Sequence, residues 1–252
     1  HPGAVYLHQG ETLLVAELDL DKGIARLLPH IGDYYTQPRS ETDVEVLASA
    51  RTVTVEPDVN GVLGAPQGGV AVGRVAVRHA VTSYVLKRHF SEAVLDERHL
   101  DLPELAYNTE ALWFSVDGLP GIPGPEALPS ALHALEHTLI QLLPAFVLCE
   151  RADVGGVSYP FYPPTGGSRV FIYDGYPGGV GYVRAGAAVF NDWLTAARDL
   201  LAKCPCKEGC PRCVLSPKCG NGNQFLDKRG ALLLAEIMLT AAERHAVATT
   251  FS

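Results

Sequence analysis

The sequence predicts an α+β fold in which a β-rich N-terminal part precedes a mixed α/β part. Short alternating apolar segments separated by Gly and Pro fill residues 1–118, whereas helix-period apolar patterns dominate after residue 119. Five of the six cysteines fall within residues 204–219, between two of the predicted helices. The 252 residues are 47% hydrophobic and 19% charged, which is typical of a globular chain long enough to bury a core.

The first elements are predicted to be paired strands. ETLLVAELDL and IARLLPH flank Asp21-Lys22-Gly23, a combination that favours a tight turn. The stretch at 43–57 alternates, with Val53 and Val55 on one face, and the stretch at 68–89 alternates for longer. In that longer stretch one face would carry Val75, Val77, His79, Val81 and Val85. Such short strands predict a small barrel or a curved antiparallel sheet.

A Pro- and Gly-rich segment, LPGIPGPEALPS at 119–130, is the predicted boundary between a β-rich accessory domain (1–118) and a second domain (119–252). Ser130 is predicted to cap a helix that ends at Pro144. The apolar positions of this helix are Leu132, Leu135, Leu139, Leu142 and Leu143.

The remaining elements alternate between strands and helices. AFVLCE (145–150) and RVFIYD (169–174) are predicted to be strands. One helix over residues 182–203 leads into the cysteines, and another over residues 227–246 closes the chain.

The segment CPCKEGCPRCVLSPKC has the spacing of a metal site. Cys210 and Cys213 form a two-residue knuckle, and Cys204 and Cys206 flank Pro205 so that both side chains point to one side. Crowded cysteines without a visible secretion signal favour a metal in a reducing compartment over disulfides.

Zinc prefers four soft ligands in a tetrahedron, so these four cysteines are the predicted ligands of a closed, structural zinc site. Replacement of one of the first two by Cys219 stays open, as does an iron–sulfur cluster. The second domain is thus predicted to be an α+β domain with a four-Cys zinc site.

The net charge of −8 means that any binding of nucleic acid depends on a local basic patch. Lys207, Arg212 and Lys218 surround the cysteines, and Arg74 and Arg78 lie on a predicted strand. These five are the candidate nucleic-acid contacts. Four thiolates on one divalent ion carry a net charge of about −2. The three basic residues near the cysteines could therefore equally compensate this negative charge.

Two further motifs each have two interpretations. His133, Glu136 and His137 form an H-x-x-E-H string, which suits either a metal-dependent hydrolase or, by default, an ordinary amphipathic helix whose polar groups bond within the core. The glycine-rich stretch that follows Asp174 suits either a phosphate-binding turn or a tight structural turn.

Several segments together resemble one protein family. They are HPGAVYLHQGETLLVAELDL, DYYT, EALWFSV, HALEHTLIQLLP, ADVGGVS, FIYDGYPGGVGY and CPCKEGCPRCVLSPKCGNGNQFLDK, in that order along nearly the whole chain. This set resembles the C-terminal region of the MrfA-like group of bacterial DEAD/DEAH-type superfamily-two DNA repair helicases. The resemblance implies a zinc-binding region that follows two RecA-like motor domains and a winged-helix element, with the zinc on Cys204, Cys206, Cys210 and Cys213.

The resemblance implies an accessory region of an ATP-dependent 3′–5′ DNA helicase of DNA repair. Its partners would be single-stranded DNA and the motor domains in cis, and its location cytoplasmic. Because Walker A and DEAH boxes are absent, the chain is not expected to be catalytic alone. The missing initial Met suggests an excised or processed piece. No membrane partner is expected, and a stand-alone zinc module for protein interaction is the alternative.

Overall fold

The computed structural model describes residues 1–47, 53–54 and 70–250, and it confirms the α+β class. The strands are β1 (Val5–His8), β2 (Glu11–Asp19), β3 (Ile24–Pro29), β4 (Tyr34–Val46), β5 (Val53–Thr54), β6 (Ala71–Arg88), β7 (Val94–His99), β8 (Leu105–Phe114), β9 (Val154–Tyr162) and β10 (Gly167–Asp174). The helices are α1 (Leu128–Leu142), α2 (Tyr182–Ala188), α3 (Phe190–Lys203) and α4 (Lys228–Thr250). A β-rich N-terminal part therefore precedes a mixed part, as predicted.

The chain divides into two compact units that are discontinuous in sequence. The first consists of residues 1–42, 78–105 and 220–222, and the second of residues 43–77, 106–219 and 223–252. The domain boundary between residues 118 and 119 stays a prediction. Of the alternating stretch at 43–57, residues 48–52 and 55–57 lie outside the described part of the chain.

The first unit contains a three-stranded antiparallel sheet in the order β1-β2-β3. Gln9 and Gly10 join β1 to β2 with positive φ angles of 49° and 85°, the backbone signs of a type I′ hairpin turn. The turn between β2 and β3 lies where Asp21-Lys22-Gly23 predicted it. Asp19 anchors it, because its carboxylate accepts hydrogen bonds from both the backbone N–H and the ammonium of Lys22.

A seven-stranded sheet has the order β4-β6-β8-β10-β9, with β5 and β7 also pairing with β6. The alternation predicted for β6 is confirmed around Val75 and Val77, which are buried. It is lost further along the strand, where His79 and Val81 are only partly buried and Tyr84 is buried beside Val85. Arg74 and Arg78 lie on the same strand and are exposed. Strand β10 pairs antiparallel with both β8 and β9.

The core of the second unit lies between β8, β9 and β10 and the helices α1, α3 and α4. Its largest fully buried side chains include Phe114, Leu135, Leu139, Trp193 and Leu234. Each such side chain stabilises the fold by roughly 1.5–3 kcal/mol through removal of apolar surface from water. The Trp193 indole N–H also donates to the Leu139 carbonyl at 2.9 Å, which joins α3 to α1.

The start of α1 differs from the prediction. The helix begins at Leu128 with Ala127 at the N-cap, so the assignment of Ser130 as the cap is wrong. Pro129 lies in the first turn, where a residue without an N–H costs nothing. The helix ends at Leu142 and runs into a 3₁₀ turn over Leu143–Ala145, close to the predicted end at Pro144.

The strand predicted at 145–150 is wrong, because Ala145 ends the 3₁₀ turn, residues 146–150 are irregular backbone and Leu148 is almost fully exposed. The strand in this region is β9, which contains Gly155 and Gly156. Both glycines are required by close packing. A Cβ at Gly155 would lie 2.4 Å from the Tyr173 ring, and one at Gly156 would lie 2.7 Å from Glu136.

The helix predicted over residues 182–203 is divided in two. Val189 has φ −122° and ψ 24°, which ends α2 and begins α3. The closing helix is confirmed as α4. None of the helices in the described ranges is both long enough and apolar enough to span a bilayer.

Candidate metal centre

Cys204 and Cys206 enter the site from the end of α3. Lys203 is the last helical residue, and Cys204 takes an extended conformation with ψ 123° while its N–H still donates to the Leu200 carbonyl at 3.0 Å. The chain therefore leaves the helix directly into Cys-Pro-Cys. The helix, which is anchored in the core by Trp193, fixes the position of this first pair.

Cys210 and Cys213 form a tight knuckle. The Cys210 carbonyl accepts N–H groups from Cys213, Val214 and Leu215 at 2.9, 3.2 and 3.2 Å. The Cys210 N–H points at the Cys213 sulfur at 3.3 Å, an arrangement that stabilises a thiolate. Gly209 precedes the knuckle with φ +132°, and a Cβ there would lie 2.4 Å from Val214, so the turn requires glycine.

The four sulfurs of these cysteines converge on one point. Measured between Sγ atoms, Cys204 lies 3.5 Å from Cys206 and 3.6 Å from Cys210, and Cys213 lies 3.4 Å from Cys206 and 3.7 Å from Cys210. A zinc–sulfur bond of about 2.3 Å gives a tetrahedron with an edge of about 3.8 Å. The donor set and its spacing therefore fit a tetrahedral zinc ion.

The protonation of the cluster is uneven. The backbone N–H of Cys206 lowers the pKa of Cys204 to about 7, and burial raises the pKa of Cys213 to about 12. Because a zinc ligand must be a thiolate, binding of the metal releases protons from the cysteine cluster. Metal affinity is therefore expected to rise with pH.

Lys228 connects the cluster to α4. It is buried, and its ammonium donates to the Cys204 carbonyl at 2.8 Å and to the Cys206 carbonyl at 2.6 Å. A buried ammonium requires such partners because an unpaired charge is costly away from water. The first residue of α4 thereby fixes the backbone of the first cysteine pair and places a positive charge beside the thiolates.

Cys219 lies outside this four-sulfur group. Its sulfur is 3.6 Å from Nε2 of His133, and the ligand atoms of His133, His137 and Cys219 all lie within 4.8 Å of one another. All six cysteines are in the described residues and none forms a disulfide. Sequence reasoning did not find this second group because Cys219 is 86 residues away from His133 along the chain.

The chain is similar in structure to a helicase. A crystal structure of the DUF1998 helicase MrfA bound to DNA matches with a TM-score of 0.61 and 27% identity, over 94% of this chain and 30% of that one. The ATP-dependent helicase YprA of Bacillus subtilis is 28% identical over 85% of this chain, and the ATP-dependent helicase hrq1 of Schizosaccharomyces pombe is 26% identical over 95%. The chain spans about a quarter of the length of these two relatives, 27% and 23% respectively.

The MrfA Zn-binding domain family matches residues 135–214, which include the second half of α1, β9, β10 and all four clustered cysteines. The protein MJ1572.1 of Methanocaldococcus jannaschii is 35% identical over 112 residues, and the chain covers 100% of its length. The chain belongs to the MrfA Zn-binding domain family. Zinc is therefore its cofactor, as predicted, while the assignment of the four ligands stays a prediction with which the sulfur geometry agrees.

Glu136 faces the sheet in this MrfA-type domain. It is 4% exposed, forms a hydrogen bond with the Ser158 hydroxyl, and contacts Gly156 on β9. Burial raises the pKa of Glu136 to about 8, so this carboxyl is mostly protonated at neutral pH. One carboxyl oxygen has no hydrogen-bond partner among the described residues, which suits a neutral group better than an anion.

The imidazoles of the H-x-x-E-H string contact a different part of the domain. Nδ1 of His137 lies 2.7 Å from the Val214 carbonyl, and Nδ1 of His133 lies 3.3 Å from the Phe225 carbonyl. Burial lowers the pKa of both rings, that of His137 to about 4. The two rings are therefore neutral at pH 7.

The glycine-rich turn after β10 is filled by its own aspartate. The Asp174 carboxylate accepts N–H groups from Val180, Gly181 and Val183 at 2.7, 2.6 and 3.0 Å. These are the backbone donors that a bound phosphate would use at the start of α2. The structural interpretation of this turn therefore holds, and the phosphate interpretation loses its donors.

The basic residues near the cysteines differ in their exposure and hydrogen-bond partners. Lys207 and Arg212 are exposed beside the cysteines. The Lys218 ammonium donates to the carbonyls of Ala152 at 2.9 Å and Val154 at 3.4 Å, and its partial burial lowers its pKa. Lys218 therefore has a structural task at the start of β9. Nucleic-acid contact stays a prediction for these three as for Arg74 and Arg78.

Replacing Cys213 with Ser tests the ligand assignment. The hydroxyl stays protonated at neutral pH and is a poor zinc ligand, so the zinc content is expected to fall by about one equivalent per chain. The matched variant Cys149→Ser, which changes a cysteine outside the cluster, keeps the full content. Elemental analysis of the purified proteins measures both, and an unchanged zinc content in Cys213→Ser would contradict the assignment.

Replacing Glu136 with Gln tests the buried acid. A pKa of about 8 against the ordinary 4.5 means that the folded protein binds more protons than the unfolded chain between these values, so stability falls as pH rises through this window. The amide that replaces the carboxyl in the variant does not titrate. The difference in the free energy of unfolding, wild type minus variant, should therefore decrease by up to about 1.4 kcal/mol for each unit by which the pH rises. Urea unfolding between about pH 5.5 and 8 measures this difference, and a difference independent of pH would count against the raised pKa.

Proposed function

We propose that this chain is the zinc-stabilised accessory region of an ATP-dependent DNA helicase that acts in DNA repair. The observation that carries the proposal is the four-cysteine cluster in a domain of the MrfA Zn-binding family, in a chain similar over most of its length to YprA and hrq1. The chain itself lacks the motor motifs, so ATP hydrolysis and 3′–5′ translocation belong to motor domains in cis. The site of action would be the cytoplasm.

Zinc supplies four strong bonds that hold otherwise irregular backbone in one conformation. Cys204, Cys206, Cys210 and Cys213 would hold the ion, and Lys228 fixes the carbonyls of the first pair. A shell of four thiolates leaves no open position for water, so its role is structural. The helices α3 and α4, which flank the site, are thereby kept in a defined arrangement.

Contact with single-stranded DNA would come from exposed cations beside this rigid segment. Lys207 and Arg212 meet that description, whereas the Lys218 ammonium already has backbone partners. With a net charge of −8, binding by this chain alone is expected to be weak and confined to low salt. Guiding a strand next to the motor needs only such weak, local contacts.

The gene provides a test of the motor in cis. The reading frame upstream of His1 is expected to encode Walker A and DEAH boxes in the same frame, because the similar helicases are several times longer than this chain. Sequencing the transcript across this point decides the matter. A start codon directly before His1 with no motor upstream would refute the proposal in its present form.

Charge reversal tests the DNA contact. The double variant Lys207→Glu/Arg212→Glu should weaken binding to a single-stranded oligonucleotide and reduce the slope of log K against log salt by about 1.4, because two phosphate contacts are lost. Fluorescence anisotropy between about 50 and 200 mM salt measures both quantities.

The matched control is Lys22→Glu/Arg26→Glu, which makes the same change in net charge at two exposed positions, one in the turn between β2 and β3 and one on β3. It should leave the salt slope unchanged. Equal effects of the two double variants would remove the assignment of Lys207 and Arg212. Wild-type protein that binds no single strand even at low salt would instead favour a module for protein interaction.

A further inference from the structure

Two histidines on one face of α1 and a cysteine distant in sequence meet within the second unit. His133 and His137 are one helical turn apart, their rings are 4.4 Å apart between centroids, and the Cys219 sulfur lies 3.6 Å from Nε2 of His133. One ligand atom from each of the three residues lies within 4.8 Å of the others. We propose that His133, His137 and Cys219 form a second metal site, for zinc or a similar divalent ion, distinct from the four-cysteine cluster.

The hydrogen bonds of both imidazoles leave the same nitrogen for a metal. Nδ1 of His137 is 2.7 Å from the Val214 carbonyl and Nδ1 of His133 is 3.3 Å from the Phe225 carbonyl. A carbonyl only accepts, so Nδ1 of each ring donates to it, and Nε2 is the nitrogen that remains for a metal. In His133, which also bonds to the Gln224 backbone, Nε2 is the nitrogen 3.6 Å from the Cys219 sulfur. Histidine metal ligands are oriented in this way, with the second ring nitrogen donating to a carbonyl or carboxylate.

The donor set selects the class of metal. Two imidazole nitrogens and one thiolate suit zinc and other borderline divalent ions, and they do not suit magnesium or calcium, which prefer oxygen. Three protein ligands leave a fourth tetrahedral position for water or another ligand. This second site is thus open, in contrast to the closed shell of four cysteines.

The backbone connects the two sites. Val214, whose carbonyl orients His137, directly follows Cys213 of the first cluster, and the Cys213 carbonyl accepts the hydroxyl of Thr138 on α1 at 3.1 Å. A metal at the second site would therefore bind Cys219 to the same helix that already holds the knuckle. Its effect would be to fasten the stretch after the knuckle onto α1.

Hydrolysis is not part of this proposal. Glu136, the residue that would act as the base in a hydrolase of the H-x-x-E-H type, contacts Gly156 and Ser158 on β9, whereas the two imidazoles contact the carbonyls of Val214 and Phe225. The second site is therefore proposed for metal binding alone, and it does not rest on the helicase proposal.

Metal stoichiometry tests the proposal on the whole chain. Zinc-loaded wild type should contain about two zinc ions per chain, and both Cys219→Ala and His133→Asn should contain about one. The matched variants Cys149→Ala and His8→Asn, at a cysteine outside both groups and at an exposed histidine, should retain about two. Elemental analysis after removal of loosely bound metal provides the counts.

Cobalt substitution shows which site is lost and whether the variants fold. In Cys219→Ala the tetrathiolate cobalt absorption should persist, while the weaker charge-transfer absorption of a single thiolate should disappear. The proposal is overturned if wild type binds only about one ion, or if Cys219→Ala and His133→Asn keep about two. If wild type binds a single ion and Cys213→Ser loses it, the assignment of the four-cysteine site stands and the proposal of a second metal site is overturned.

Discussion

The structure around the metal centre depends on the convergence of four sulfurs in a stretch that has almost no regular secondary structure. Between the end of α3 at Lys203 and the start of α4 at Lys228, the chain forms turns and irregular backbone. Such a stretch cannot satisfy its backbone groups by a ladder of its own, so their partners come from elsewhere. The knuckle at Cys210 and the ammonium of Lys228 supply several of them, and a zinc ion on the four predicted ligands would hold their sulfurs together.

Helix α1 is the surface on which this stretch is ordered. Thr138 and Gln141 bond to the carbonyls of Cys213 and Arg212, and His137 bonds to that of Val214. Glu136 packs instead against Gly156 and Ser158 on β9. One helix therefore joins the irregular cysteine segment to the sheet, and the family match begins within this helix and ends just after the knuckle.

Much of this organisation was predictable from local patterns. Alternation predicted the strand that carries Val75 and Val77, turn residues predicted the connection between β2 and β3, and cysteine spacing predicted the knuckle. Local patterns were wrong where packing decides the conformation. The strand predicted at 145–150 is absent, and the strand that forms instead, β9, contains Gly155 and Gly156, where the side chains of Tyr173 and Glu136 occupy the space that a Cβ would need.

The sequence by itself determined the fold class and a four-cysteine metal site, because hydrophobic period and ligand spacing act over a few residues and are visible in the chain. The match to the MrfA Zn-binding domain family then identified the metal as zinc. Only the tertiary structure decided that Cys219 stands apart from the four-sulfur group and beside His133. It also decided that Asp174 occupies the donors of the glycine-rich turn and that Lys218 binds backbone carbonyls. The contacts of Cys219, Asp174 and Lys218 form only when the chain folds, and no local sequence pattern specifies their partners.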